Sequence, residues 1–329
     1  MSTVRTAVAC AHPNIALAKY WGKVPGGANA PAVPSLSVTL SGMQTRTRIT
    51  VDPALDTDVL VLNDAPADPR ALARATELLD RVRTLAGSTA RARVSSVNDF
   101  PTAAGLASSA SGFAALGLAA YGAYGVPVDL AAVSDLARRS SASSARSLFG
   151  GYVELAAGVP GDAVLSARPV AAPDALPLVV LVAVTTEAKK DVASTDGMNR
   201  TAKESPYYPA WVAHAPSLFA EVRAGVLAGD LPRVGVAAEA SALAMHASAI
   251  AAGIVYFRGA TVDVLAEVRA IRATGTGAWA TIDAGPHVKV LVAPSDSAAV
   301  TARLLAVPGV LRVLEALPGP GAEIVESAS

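Results

Sequence analysis

Apolar and polar residues alternate, or apolar residues run on unbroken, over 35–40, 45–51, 59–62 and 91–97, which predicts strands through the first third of the chain. The period then lengthens. Leu72, Ala75, Leu78, Leu79, Val82 and Leu85 fall on one helical stripe over 71–85, and 108–124 and 130–139 read as further helices. Residues 149–155 and 178–184 return to strand patterning, and the Pro- and Ala-rich stretch 169–177 between them suits a crossing loop where a second lobe begins. Helical spacing resumes over 210–228, 231–251 and 262–273, followed by strand-turn-strand over 278–292 and a helix near 297–306. Residues 318–329, rich in Gly, Pro and acid, allow a short terminal strand at most or a frayed tail. The sum is an α+β protein of two lobes without an internal repeat.

The 329 residues are 52% hydrophobic and only 16% charged, and 27 Lys+Arg stand against 27 Asp+Glu. Soluble domains average about 25% charged residues, so this composition belongs to a chain with a large interior rather than a disordered one. Zero net charge gives no footprint for a nucleic-acid partner, and no Lys/Arg run suits an anionic membrane. The apolar stretch 113–128 includes Pro127 and falls short of the roughly 18 residues of a membrane span. Residues 1–10 lack the apolar core of a signal peptide, which predicts a cytoplasmic protein in which the sequon Asn199-Arg200-Thr201 goes unused. A lone Cys10 excludes an internal disulfide, and His12, His214, His246 and His287 have no zinc-site spacing.

Candidate chemistry concentrates in a few segments. Residues 101–112, Pro-Thr-Ala-Ala-Gly-Leu-Ala-Ser-Ser-Ala-Ser-Gly, join a predicted strand to a helix opening near Ser108. Small residues admit a phosphate close to the backbone, and the first helical amides and dipole favour an anion. The same composition suits a helix packed tightly on a neighbour under a serine cap. No Walker pattern is present. Lys19 and Lys23 flank Tyr20, as an anion site or a solvated strand end. Arg146 among Ser141 and Ser143 is either a bidentate anion fork or a surface arginine beside capping serines. Ser194 and Thr195, following Lys189 and Lys190, read as phosphate donors on a closing loop or as a polar loop between lobes. Asp283 stands in the turn before Ala284-Gly285-Pro286, where Asp ordinarily caps amides, and Arg70 reads as solvated. Gly275-Thr-Gly277-Ala-Trp-Ala280 imitates a dinucleotide motif, but it follows a helix and enters a strand, the reverse of a Rossmann turn. His246 reads as a packed helix residue and takes no role.

Pro-x-x-x-Gly-Leu-x-Ser-Ser after a strand resembles the phosphate loop of the GHMP kinases. In order and spacing, residues 14–23, 98–109, 141–151, 189–198 and 281–286 resemble diphosphomevalonate decarboxylases, so the similarity spans nearly the whole chain. It implies a two-lobed GHMP kinase fold, with a ribosomal protein S5 domain 2-like lobe over 1–185 and a ferredoxin-like lobe over 186–329. The resemblance makes Asp283, Arg146 and Lys19 catalytic. It assigns substrate binding to Asn14, Tyr20, Trp21, Gly22, Lys23, Arg70, Ser141, Ala142, Ser143, Ser144, Ala145, Arg146, Ser194 and Thr195. It assigns ATP to Pro101, Ala104, Gly105, Leu106, Ala107, Ser108, Ser109, Ser111, Lys189 and Lys190, with Mg²⁺ on Ser109. A homodimer is also implied.

The expected reaction has Asp283 orient or deprotonate a tertiary hydroxyl, which attacks the γ-phosphate of ATP. The new 3-phosphate then departs as CO₂ leaves, giving isopentenyl diphosphate. Three departures bear on the substrate: Val33-Pro34 precede Ser35-Leu36-Ser37 where the family has Asn-Ser, His287 replaces Asn after the Asp-Ala-Gly-Pro turn, and a Pro-Pro pair is missing around Ala252-Gly253. A phosphomevalonate decarboxylase, a mevalonate 3-kinase and a non-catalytic ligand sensor of the same fold are the alternatives.

Overall fold

The computed structural model describes residues 5–100, 108–161, 164–188 and 191–328. Pro101, Ala104, Gly105, Leu106 and Ala107 of the expected phosphate loop, and Lys189 and Lys190, lie outside the described residues. The chain opens with two strands that the side-chain pattern does not announce, β1 (Arg5–Ala11) and β2 (Asn14–Ala18). Both are rich in alanine, a weak strand former, and largely buried on both faces, so no alternation marks them. β3 (Ser35–Thr39), β4 (Thr45–Asp52) and β5 (Val59–Leu62) lie where expected, and the two-residue β6 (Ala65–Pro66) precedes α1 (Pro69–Ala86). Asp68 caps α1 by accepting from the Ala71 amide, Pro69 suits its first turn, and Gly87 closes it at φ +60°. β7 (Arg91–Asn98), α2 (Ser108–Tyr124), α3 (Leu130–Ser140), a 3₁₀ helix (Ala142–Leu148), β8 (Tyr152–Leu155) and β9 (Arg168–Ala171) follow.

The second half contains β10 (Val179–Val184), α4 (Ser194–Glu204), α5 (Tyr208–Ala228), α6 (Leu231–Ile250), α7 (Gly259–Ala273), β11 (Ala278–Ile282), β12 (Val288–Val292), α8 (Ser297–Leu305), β13 (Arg312–Ala316) and β14 (Glu323–Ala328). The plain polar loop admitted as an alternative around Ser194 is instead the first turn of a helix, α4. The tail is a strand, paired antiparallel to β1. Gly275 and Gly277 lie between α7 and β11, so the dinucleotide-like motif runs from helix to strand as read.

Three sheets result: β14-β1-β4-β7-β5-β6, β11-β12-β10-β13 and β2-β3-β8-β9. Leu78, Leu79 and Val82 of α1 join Ala114, Leu118 and Tyr121 of α2 over one face of the first. The small residues of α2 have a packing reason, because a Cβ on Gly122 would stand 2.9 Å from that of Ala7 on β1. In the second sheet Val288, Val290 and Val292 face α7 and α8. β10 sits in that sheet between β12 and β13, so the sheets change over between Ala171 and Val179, in the Pro- and Ala-rich stretch and ahead of a division at 185. The chain returns after β13: the Ser41 amide donates to Leu317 O at 2.8 Å and the Gly319 amide to Thr39 O at 2.7 Å.

β2 and β11 are each an edge of their sheet, and these edges meet where Thr281 Oγ1 donates to Ala16 O at 3.4 Å. α6 lies against both strands. This junction places the site.

Candidate functional site

Lys19 follows β2 by one residue and Asp283 follows β11 by one residue, so the abutting edges deliver them to the same point. Lys19 Nζ donates to Asp283 Oδ1 at 2.7 Å and to Ala16 O at 2.8 Å, while the Lys19 amide donates to Ser241 Oγ on α6 at 2.9 Å. The other carboxylate oxygen, Oδ2, lies 3.1 Å from Nζ of Lys289, which sits within β12. Both lysines are at most 2% exposed, whereas the Asp283 side chain keeps 27% of its surface open. Burial alone would raise the Asp283 carboxyl, but the two ammonium groups outweigh it and hold the group well below the usual carboxylate range. Burial pulls Lys19 down to about 8 against the opposing pull of Asp283.

Arg146, 1% exposed in the 3₁₀ helix, donates through Nε to Ser37 Oγ at 3.0 Å and through a terminal nitrogen to Ser35 Oγ at 2.7 Å. Burial lowers it to about 10, and Tyr20 and Asp283 offset part of that. Asn14 ties β2 to the same 3₁₀ helix through Ser143 O at 3.0 Å and Ser147 Oγ at 2.8 Å. Ser141 and Ser143 hydroxyls lie 3.2 Å apart, Ser144 donates to Ser109 O at 3.0 Å, and Ala142 and Ala145 are packed inward. The Tyr20 hydroxyl is buried without a hydrogen-bond partner among the described residues, and burial pushes its phenol above the ordinary range. Trp21 meets Tyr256 edge-on at 6.0 Å. Gly22 has φ +107°, and a Cβ there would stand 2.1 Å from the Tyr208 hydroxyl. Lys23 Nζ donates to Asn29 Oδ1 at 2.6 Å and to Thr195 Oγ1 at 3.2 Å, which joins the N-terminal motif to α4 beside Ser194.

Two expected residues are placed elsewhere. Ser111 is fully buried, and its hydroxyl pairs with Thr45 Oγ1 at 2.7 Å and reaches Ser108 O at 3.5 Å, whereas the Ser109 side chain is exposed. Arg70 is exposed at the start of α1, one turn before Arg74. Arg74 lies 4.5 Å over the Phe113 ring and helps to line a cavity of about 220 Å³ between α1, α2 and the first sheet, with Asn63, Ser96, Asn98, Ser108 and Ser109 on its wall.

Sequence reasoning missed Lys289, Ser35, Ser37 and Asn29. The signal for Lys289 is one charge inside the apolar run 288–292. All five residues of Ser35-Leu36-Ser37-Val38-Thr39 are buried; the Ser35 and Ser37 hydroxyls accept from Arg146, and the Thr39 hydroxyl donates to Phe149 O. His246, 1% exposed, packs 4.5 Å from Phe257; burial first and Lys19 second push it down to about 4, so it stays neutral as a packed residue.

Comparison with known proteins places relatives beside this chain. Residues 11–165 match the diphosphomevalonate decarboxylase-like N-terminal domain and residues 180–312 the mevalonate 5-diphosphate decarboxylase C-terminal domain. Diphosphomevalonate decarboxylase of Aspergillus fumigatus is 34% identical over 99% of this chain and 86% of its own length. Phosphomevalonate decarboxylase of Haloferax volcanii is 33% identical over 81% of each chain. The mevalonate diphosphate decarboxylase of Enterococcus faecalis, solved for its mevalonate diphosphate-mediated ATP binding, superposes with a TM-score of 0.91 at 36% identity over 98% of this chain and 100% of that one. Another solved structure, at TM-score 0.92, 36% identity and the same coverage, holds MVAPP, AMPPCP and magnesium.

Proposed function

This chain belongs to the diphosphomevalonate decarboxylase family, and from that premise we propose that it converts (R)-5-diphosphomevalonate and ATP to isopentenyl diphosphate, ADP, phosphate and CO₂. One observation carries the reading: a single carboxylate, its side chain 27% exposed, is held by the buried cations Lys19 and Lys289 beside buried Arg146. The cluster has two net positive charges, which favours a multiply anionic substrate in a site of low dielectric.

Asp283 receives the tertiary hydroxyl and aims its oxygen at the γ-phosphate. With its carboxyl held so low, Asp283 is a weak base, and a weak base suffices if the transferring phosphoryl group passes through a loose transition state in which the proton leaves late. Once the 3-phosphate is made, its departure draws electrons from the C1 carboxylate as CO₂ leaves. Arg146, fixed by Ser35 and Ser37, holds that carboxylate in line. Lys23 with Thr195 suits the substrate's diphosphate, and the 220 Å³ cavity suits the nucleoside of ATP, with its phosphates at the first turn of α2. When bound, Mg²⁺ supplies charge shielding between phosphates. The exposed Ser109 hydroxyl would hold it.

The test is CO₂ release from diphosphomevalonate, dependent on ATP and Mg²⁺, with Asp283→Asn lowering kcat by about 10³-fold or more. A second reading, with monophosphate as substrate, is favoured by the Haloferax relative and by Val33-Pro34. Mevalonate, its monophosphate and its diphosphate assayed side by side decide between them, and ATP turnover without CO₂ would mark a 3-kinase. The reading extends to a cytoplasmic homodimer, which sedimentation and cell fractionation test. No helix among the described residues is long and apolar enough to cross a membrane.

A further inference from the structure

We propose that Lys289 is a positioning residue for this reaction: it fixes the Asp283 carboxylate through Oδ2 in the one orientation that presents its open edge to the substrate hydroxyl. The inference rests on the reading that Asp283 meets that hydroxyl. Lys289 lies in the middle of β12 and pairs with Thr281 of β11 on one side and Val182 of β10 on the other, so its backbone is clamped by two neighbours. Val288 and Val290 point into the α7–α8 core, which sends Lys289 to the opposite face, toward the strand junction. A lysine with 1% exposure is strongly unfavourable without a partner, and Asp283 Oδ2 at 3.1 Å is the anionic partner it reaches.

Lys19 grips Oδ1 at 2.7 Å. One grip leaves a carboxylate free to swing about its Cβ–Cγ bond, and a second on the other oxygen removes that freedom. The two grips come from different elements, Lys19 from the end of β2 and Lys289 from inside β12, so the orientation is set by sheet register rather than by a flexible loop. Oδ2 is itself buried against Lys289, so the part of the side chain left open to an incoming hydroxyl lies away from it. An apolar residue of similar length would fill the same space at less desolvation cost, so folding alone gives no reason for the ammonium group.

Lys289→Met and Lys289→Arg, assayed by ADP release with kcat and KM resolved for both substrates, test the role. Lys289→Met should keep both KM values within about threefold while kcat falls about 10- to 100-fold, the penalty of a misaimed reacting group. Lys289→Arg, which keeps the charge, should recover most of the loss. An unchanged kcat in Lys289→Met, a loss carried by substrate KM, or a Lys289→Arg variant no better than the Met variant overturns the proposal, since a purely structural lysine would not divide its effects in this way. If the Met variant does not fold, Lys289→Gln takes its place under the same criteria. Absence of CO₂ release from diphosphomevalonate in the unaltered chain fails the functional reading instead, and the variants are then compared on ATP turnover with whichever mevalonate derivative is accepted.

Discussion

Lys19 serves Asp283 only as an ammonium ion, and its burial makes that condition depend on pH. Its site pulls it down to about 8, so protons leave it within the range of an ordinary assay. Below that value two cations touch Asp283; above it Lys19 is neutral and the carboxylate has lost one of those contacts. kcat/KM should therefore fall as pH rises through about 8, and Lys19→Arg should move that limb upward by at least one unit at some cost in rate, checked by a pH–rate profile. Candidate positions were legible where a motif supplied them: Lys19 and Asp283 are in contact, and Arg146 lies near enough to feel the Asp283 charge. Their contact was not legible from spacing, because 264 residues separate Lys19 from Asp283. Lys289 and the serine pair escaped for a simpler reason. A charge or hydroxyl in a strand is read as facing water, and only the neighbouring sheet shows that this face is interior.

At the scale of elements, α6 sets the geometry of the junction, because it lies on β2 and β11 together. Gly235 makes this approach possible: a Cβ there would stand 2.2 Å from the indole of Trp279, which is itself 6% exposed and hemmed in. Gly235→Ala should destabilise the protein by about 1–3 kcal/mol through overpacking, measured by urea unfolding, and should lower kcat by tilting β11 and hence Asp283. Elements with a clean period, such as α1 and β4, were legible as patterns. β1 and β2 were not, since alanine-rich strands buried on both faces alternate in nothing. α4 was hidden as well, because its opening turn, Ser-Thr-Asp-Gly, has the composition of a loop.

For the whole molecule, the two lobes were legible and the path of the chain between them was not. It crosses twice, once between β9 and β10 and again where residues 317–321 lie along the ends of β3 and β8. Gly319 permits that second crossing, as a Cβ there would stand 2.5 Å from the Ser41 amide nitrogen. Deleting residues 318–328 should lower the thermal midpoint and cause aggregation visible by light scattering, because it bares the outer edge of β1. β14 is mostly exposed, and composition alone would rank this tail as dispensable. Its pairing also imposes a schedule on synthesis. β1 leaves the ribosome ahead of every other strand, yet its outer edge is covered by a strand translated only after the whole β10–β13 sheet. The earliest-made sheet is thus the last to close, and the nascent protein depends throughout on whatever shields an unpaired edge until the final stitch is in place.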